Sequence, residues 1–111
     1  MSNQFVKKLT VDVGNSLTAV YTTGSTTRAT IIGINIANTT AADIVVSIKL
    51  YDSANTITGY IVKDVVVPVS TALVAIGGDQ KLVLEPNDQI KVISDTSTSA
   101  DVIVSALEIT T

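Results

Sequence analysis

Apolar and polar positions alternate with a period of two along most of this chain. The clearest run is DIVVSIKLYD (43–52), where Ile44, Val46, Ile48 and Leu50 point one way and Val45, Ser47, Lys49 and Tyr51 the other. In ATIIGINIAN (29–38), Ile32, Ile34 and Ile36 form an inward row opposite Gly33 and Asn35, and a glycine inside a strand marks a bulge or a close backbone approach. KLVLE (81–85) places Leu82 and Leu84 on one face, and QIKVIS (89–94) does the same with Ile90 and Val92. Period-two alternation rich in β-branched residues specifies half-buried strands. No segment sustains the i, i+3, i+4, i+7 spacing of an amphipathic helix.

Turn-forming clusters interrupt these runs at regular intervals: GNS (14–16), TTGSTT (22–27), NTTAAD (38–43), DSANTITG (52–59), Pro68–Ser70, GGD (77–79), EPND (85–88) and DTSTSAD (95–101). Short strands at such spacing predict a single all-β domain over residues 1–111, an antiparallel sandwich or barrel, not a parallel α/β sheet, with about eight strands and essentially no helix. The expected strands lie near 4–13, 17–23, 28–38, 43–52, 57–67, 70–76, 80–85 with 88–94, and 101–110. Residues 1–13 read as an N-terminal arm or an edge strand.

Two segments depart from simple alternation. VVVPV (65–69) is apolar on both sides, and Pro68 restricts it to an edge, a bulge or a strand end. The last strand carries Val102, Val104 and Ala106 on one side and Ile103, Leu107 and Ile109 on the other. That pattern fits a strand covered on both faces within the sandwich, or one with one face in the core and the other against a neighbouring subunit.

The loops hold little chemistry. Gly77-Gly78-Asp79 is followed by a strand, not by the helix N-terminus or the Lys-Ser/Thr that a phosphate loop needs. These glycines are expected to supply positive φ in a hairpin turn, and Pro86-Asn87-Asp88 a tight turn with Asn87 left-handed. Asp79, Glu85, Asp88, Asp95 and Asp101 could offer oxygens to calcium, but no dense Asp/Asn loop gathers them. Tyr51 and Tyr60 flank the 52–59 turn, either as a cross-strand aromatic pair or as a sugar-binding patch.

Composition narrows the function classes further. Apolar residues make up 46% of the 111 and charged ones only 15%, and the mean hydropathy is +0.47. That aliphatic excess suggests surface buried between subunits. The net charge is −3, with Lys7, Lys8, Arg28, Lys49, Lys63, Lys81 and Lys91 scattered in sequence, so no electrostatic footprint for nucleic acid is visible. Histidine and cysteine are absent, which removes the commonest general base, thiol chemistry and disulfides. Carboxylate pairs, a Ser-Lys dyad or a Thr nucleophile remain, and none is marked by a motif, so an enzyme is not expected. No metal, cofactor or membrane partner is expected either. The first residues lack the apolar stretch of a signal peptide, and no run approaches the length of a membrane helix.

Three stretches, TTRATIIGINIAN (26–38), YIVKDVVVPVSTALVAIGGDQKLVLEPNDQIKV (60–92) and ADVIVSALEIT (100–110), resemble a group of small β-rich virion structural proteins of tailed bacteriophages, especially those of marine and cyanobacterial hosts. Where that group commonly has Gly before the acid of an L-x-x-G-D turn, this chain has Asn87. The resemblance implies an antiparallel β-sandwich, jelly-roll-like module present in many copies on a phage particle assembled in the host cytoplasm. A capsid decoration or cement protein, contacting the major capsid protein or other virion proteins and itself oligomeric (a trimer is the simplest guess), is the leading expectation. A neck, tail or fibre module binding host carbohydrate is the competing one. Phe5, Val6 and Leu9 of the N-terminal segment are the expected partner contacts. The alternative for them is an ordinary edge strand of the same sandwich.

Overall fold

The computed structural model describes residues 2–77 and 81–110. Among these, nine strands form: β1 (Ser2–Val13), β2 (Thr18–Thr22), β3 (Thr27–Asn38), β4 (Ile44–Asp52), β5 (Ile57–Val67), β6 (Ala72–Ile76), β7 (Leu82–Leu84), β8 (Gln89–Ser94) and β9 (Ala100–Thr110). The described residues contain no helix. Two antiparallel sheets result. Sheet A runs β1-β9-β3-β6, with β7 also pairing β3, and sheet B runs β2-β8-β4-β5. If β6 and β7 count as one interrupted strand, this is the strand order of a jelly roll, in which the chain passes repeatedly between two facing sheets.

The core between the sheets follows from the alternation. Ile44, Val46 and Ile48 of β4, Ile90 and Val92 of β8, and Val102, Val104 and Ala106 of β9 are all buried. Facing side chains of two sheets interdigitate in this way and exclude water, which supplies most of the driving force. Two details differ from the periodicity reading. Ile31, rather than Ile32, joins Ile34 and Ile36 in the core. The β3–β9 register shifts between Ile31 and Gly33, so a bulge absorbs one residue and turns Ile32 outward. The glycine in that strand does mark a bulge.

The second correction concerns 80–94. Leu82–Leu84 and Gln89–Ser94 are not one strand with a kink, because β7 pairs β3 in sheet A while β8 pairs β2 and β4 in sheet B. The Pro86-Asn87-Asp88 corner carries the chain between layers. Asn87 is left-handed there with φ 68°, as expected, and the buried Asp88 carboxylate accepts from the Glu85 and Ser53 amides at 2.8 and 3.0 Å. Conversely, β6 and β7 both run antiparallel to β3, so the chain does not reverse between them. β6 and β7 are therefore not the two arms of a hairpin. Gly77 is not left-handed, and Gly78 and Asp79 lie outside the described residues.

Candidate functional site

β1 settles the status of the N-terminal segment within one chain. It is an edge strand, paired with β9 from Ser2↔Thr110 to Thr10↔Val102. Alternation divides the three expected contact residues. Val6 turns inward and packs against the core, while Phe5 and Leu9 point outward from sheet A with 75% and 58% of their surfaces exposed. They are brought to the same strand but not to the same face.

The outward face of sheet A continues from them across four strands. Register places Phe5 beside Leu107, then Thr30 and Val83; the parallel row runs Leu9, Ile103, Asn35 and Val74. Phe5, Val83, Leu9, Ile103 and Val74 are all exposed apolar side chains. Between these two ridges lies the row Lys7, Ser105 and Gly33. The small Ser105 and Gly33 leave a hollow of about 310 Å³ walled by Ile103, Val74 and Ile32. The outer side of β9 is thus not covered by a further layer among the described residues. An aliphatic and aromatic ridge–hollow–ridge surface is what the two-faced pattern of the last strand encodes.

Sheet B presents a different outer face. Ala19, Lys91, Lys49 and Tyr60 form one cross-strand row from β2 to β5, and Gln89, Tyr51 and Thr58 form the next. Lys49 and Lys63 place their Nζ atoms 4.9 and 5.3 Å from the Tyr60 ring centroid, and Lys91 lies 5.2 Å from that of Tyr51. The tyrosines are not the directly opposed cross-strand pair expected, since Tyr51 stands opposite Thr58 and Tyr60 opposite Lys49, and the lysines around them carry no signal in the sequence. Lysines 49, 63 and 91 are far apart along the chain, and only the β4–β5 and β4–β8 registers gather them.

A cleft of about 420 Å³ opens between the edge strands β1 and β2, lined by Val6, Lys8, Val20, Tyr21 and Glu108 among others. Tyr21 is buried there and donates its hydroxyl to Glu108 across the two sheets. Burial, then that hydrogen bond, then the carboxylate charge push the Tyr21 hydroxyl far above its usual ionisation range. A phenol whose folded value is raised stabilises the fold below its unfolded value of about 10, and that contribution is lost as pH rises above it. Chemical denaturation between about pH 9 and 12 should therefore show stability falling with pH, and Tyr21→Phe should flatten that decline. An unchanged slope in the variant would remove Tyr21 as its cause.

Among the described residues, four of the acids considered for calcium make other contacts. Glu85 pairs with Arg28 at 3.1 Å, Asp101 accepts from the Asp12 amide, and Asp95 accepts from the Val45 amide and the Thr96 hydroxyl. The Val45 bond, then that of Thr96, hold the Asp95 carboxyl below the usual aspartate range. Glu85 and Asp88 sit beyond one end of the strands, Asp95 and Asp101 at the other, and Asp79 lies outside the described residues. No group of three acids converges among the described residues.

No protein-family model matches the chain, and no curated protein matches it. Among solved structures it is similar to one of Bacillus endospore appendages, described as a novel family of disulfide-linked pili, with 12% identity, 99% of this chain and 91% of that chain covered, and a TM-score of 0.48. It is also similar to a structure of infectious bursal disease virus Gt strain, with 9% identity, 99% of this chain but only 31% of that chain covered, and a TM-score of 0.39. At scores this low neither likeness adds to the jelly-roll assignment, which rests on strand order and register. The present chain has no cysteine.

Proposed function

We propose that this protein is a structural module of a tailed-bacteriophage virion, a capsid decoration or cement protein that binds the assembled shell through the outward face of sheet A. The observation that carries the reading is the pair of exposed apolar ridges headed by Phe5 and Leu9, which flank the Ser105–Gly33 hollow. Contiguous apolar surface rimmed by polar residues marks a protein contact site. The resemblance of residues 26–38, 60–92 and 100–110 to phage virion proteins supplies the particle as the setting.

The mechanism needs no catalytic step and no cofactor. A module that binds only the assembled lattice lowers the free energy of the assembled state and so resists its dissociation. A rigid sandwich suits this role, because a preformed surface loses little entropy on docking. The partner is the major capsid protein or another virion protein, and copies of this chain meet as a homo-oligomer, for which a trimer is the simplest form. The module is made in the host cytoplasm and resides on the virion.

Quantitative mass spectrometry of purified virions, against the major capsid protein, tests the reading. Hundreds of copies per particle are expected of a decoration protein. A few to a few dozen would move the protein to the neck or tail and overturn the decoration role.

A further inference from the structure

We propose that the outward face of sheet B binds an acidic polysaccharide, one whose sugar units carry carboxylates. This goes beyond the assembly role above and uses the opposite side of the sandwich. Three of the seven basic residues of an acidic chain gather here around two tyrosines. Lys49 and Lys91 stand directly opposite each other on β4 and β8. Like charges in that position destabilise a sheet, and no carboxylate among the described residues forms an ion pair with either. The Arg28–Glu85 pair lies elsewhere, and neighbouring Asp64 turns to the Ser47 hydroxyl instead. The tyrosine rings hold the ammonium groups in place through their π faces while leaving the positive charge uncancelled.

The chemistry of the two rows matches one kind of ligand. Lys91, Lys49 and Tyr60 span three strands, roughly 10 Å at the ordinary strand spacing, with the Lys49 ammonium over the Tyr60 ring and the Lys91 ammonium over the Tyr51 ring of the adjoining row. The adjoining row of Gln89, Tyr51 and Thr58 supplies neutral hydrogen-bonding groups. A uronate chain offers the complement, a carboxylate and several hydroxyls on each unit. Protein partners are a poorer match, since lysine is depleted at protein interfaces while this face is built around it. Single-stranded nucleic acid needs free aromatic faces for its bases, but here lysines lie over both rings.

The test is affinity electrophoresis of the full chain in native gels containing polygalacturonate, with neutral dextran and a single-stranded oligonucleotide in parallel. Retardation by polygalacturonate and not by dextran is expected. Lys49→Gln/Lys91→Gln should weaken it roughly a hundredfold, about tenfold for each charge-assisted hydrogen bond removed. Phe5→Ser, on the other face, should leave it unchanged. Lys63→Gln provides a second variant with a partial loss, should the double variant fail to fold. No retardation, retardation that survives the lysine substitutions, or retardation by the oligonucleotide as strong as by polygalacturonate would each overturn the proposal.

Discussion

Asn38→Ala is expected to lower the stability of the fold by about 2–3 kcal/mol, a drop in Tm of roughly 10 °C or more. Asn38 is buried at the end of β3, and its side chain makes four hydrogen bonds: its amide donates to the Ala42 and Val67 carbonyls, and its oxygen accepts from the Thr40 amide and hydroxyl. β3 belongs to sheet A and β5, which ends at Val67, to sheet B, so one side chain ties both layers and the loop between β3 and β4. The loop groups recover water when the side chain is removed. The Val67 carbonyl lies against the core and does not, which is why the cost exceeds that of an ordinary surface bond. Thr40→Val removes only the exposed part of the network and should cost less than about 1 kcal/mol. Urea denaturation of both variants measures the difference, and equal effects would show that the inter-sheet bond is unimportant.

Asn38 also illustrates what the sequence conceals. In NTTAAD it reads as one more turn residue, and nothing local signals that a carbonyl from β5 will stand within 2.9 Å of it. Period and turn chemistry are local properties, and they specified most of the strands, the left-handed Asn87 and the bulge at Gly33. They failed where a strand's neighbour decides its role. KLVLE and QIKVIS look alike by alternation, yet the Pro86 corner sends one to each sheet. The same limit applies to the surfaces. Phe5 and Leu9 are identifiable in the sequence because they are apolar residues at one parity of an N-terminal strand. Their continuation through Ile103, Val74 and Val83, and the gathering of Lys49, Lys63 and Lys91, depend on strand pairings that no local pattern specifies.

Phe5→Ser combined with Leu9→Ser is expected to abolish binding to the assembled shell while leaving the melting temperature within a few degrees of the parent. Both side chains are exposed in the free chain, so little apolar burial is lost on folding, and serine retains the backbone pairing with β9. In the bound state each would be covered, and burying an aliphatic or aromatic side chain is worth roughly 1.5–3 kcal/mol. Losing two such anchors weakens an association by about a hundredfold or more. Deleting residues 1–9 is a different experiment: it also strips the Val6 packing and leaves the β9 edge unpaired, so that protein should melt at a lower temperature. Gly33→Leu gives the complementary result. A Cβ at Gly33 meets the Ile76 carbonyl at 3.8 Å and the Ser105 Cβ at 4.0 Å, ordinary van der Waals separations, so the backbone accepts a Cβ there and a longer side chain is expected to extend into the hollow between the ridges. If the hollow receives a partner side chain, Gly33→Leu blocks binding as thoroughly as removing the ridges, again without unfolding. Sedimentation of each variant with shells lacking the protein reads both effects. Full binding by the serine pair and by Gly33→Leu would exclude sheet A as the contact face.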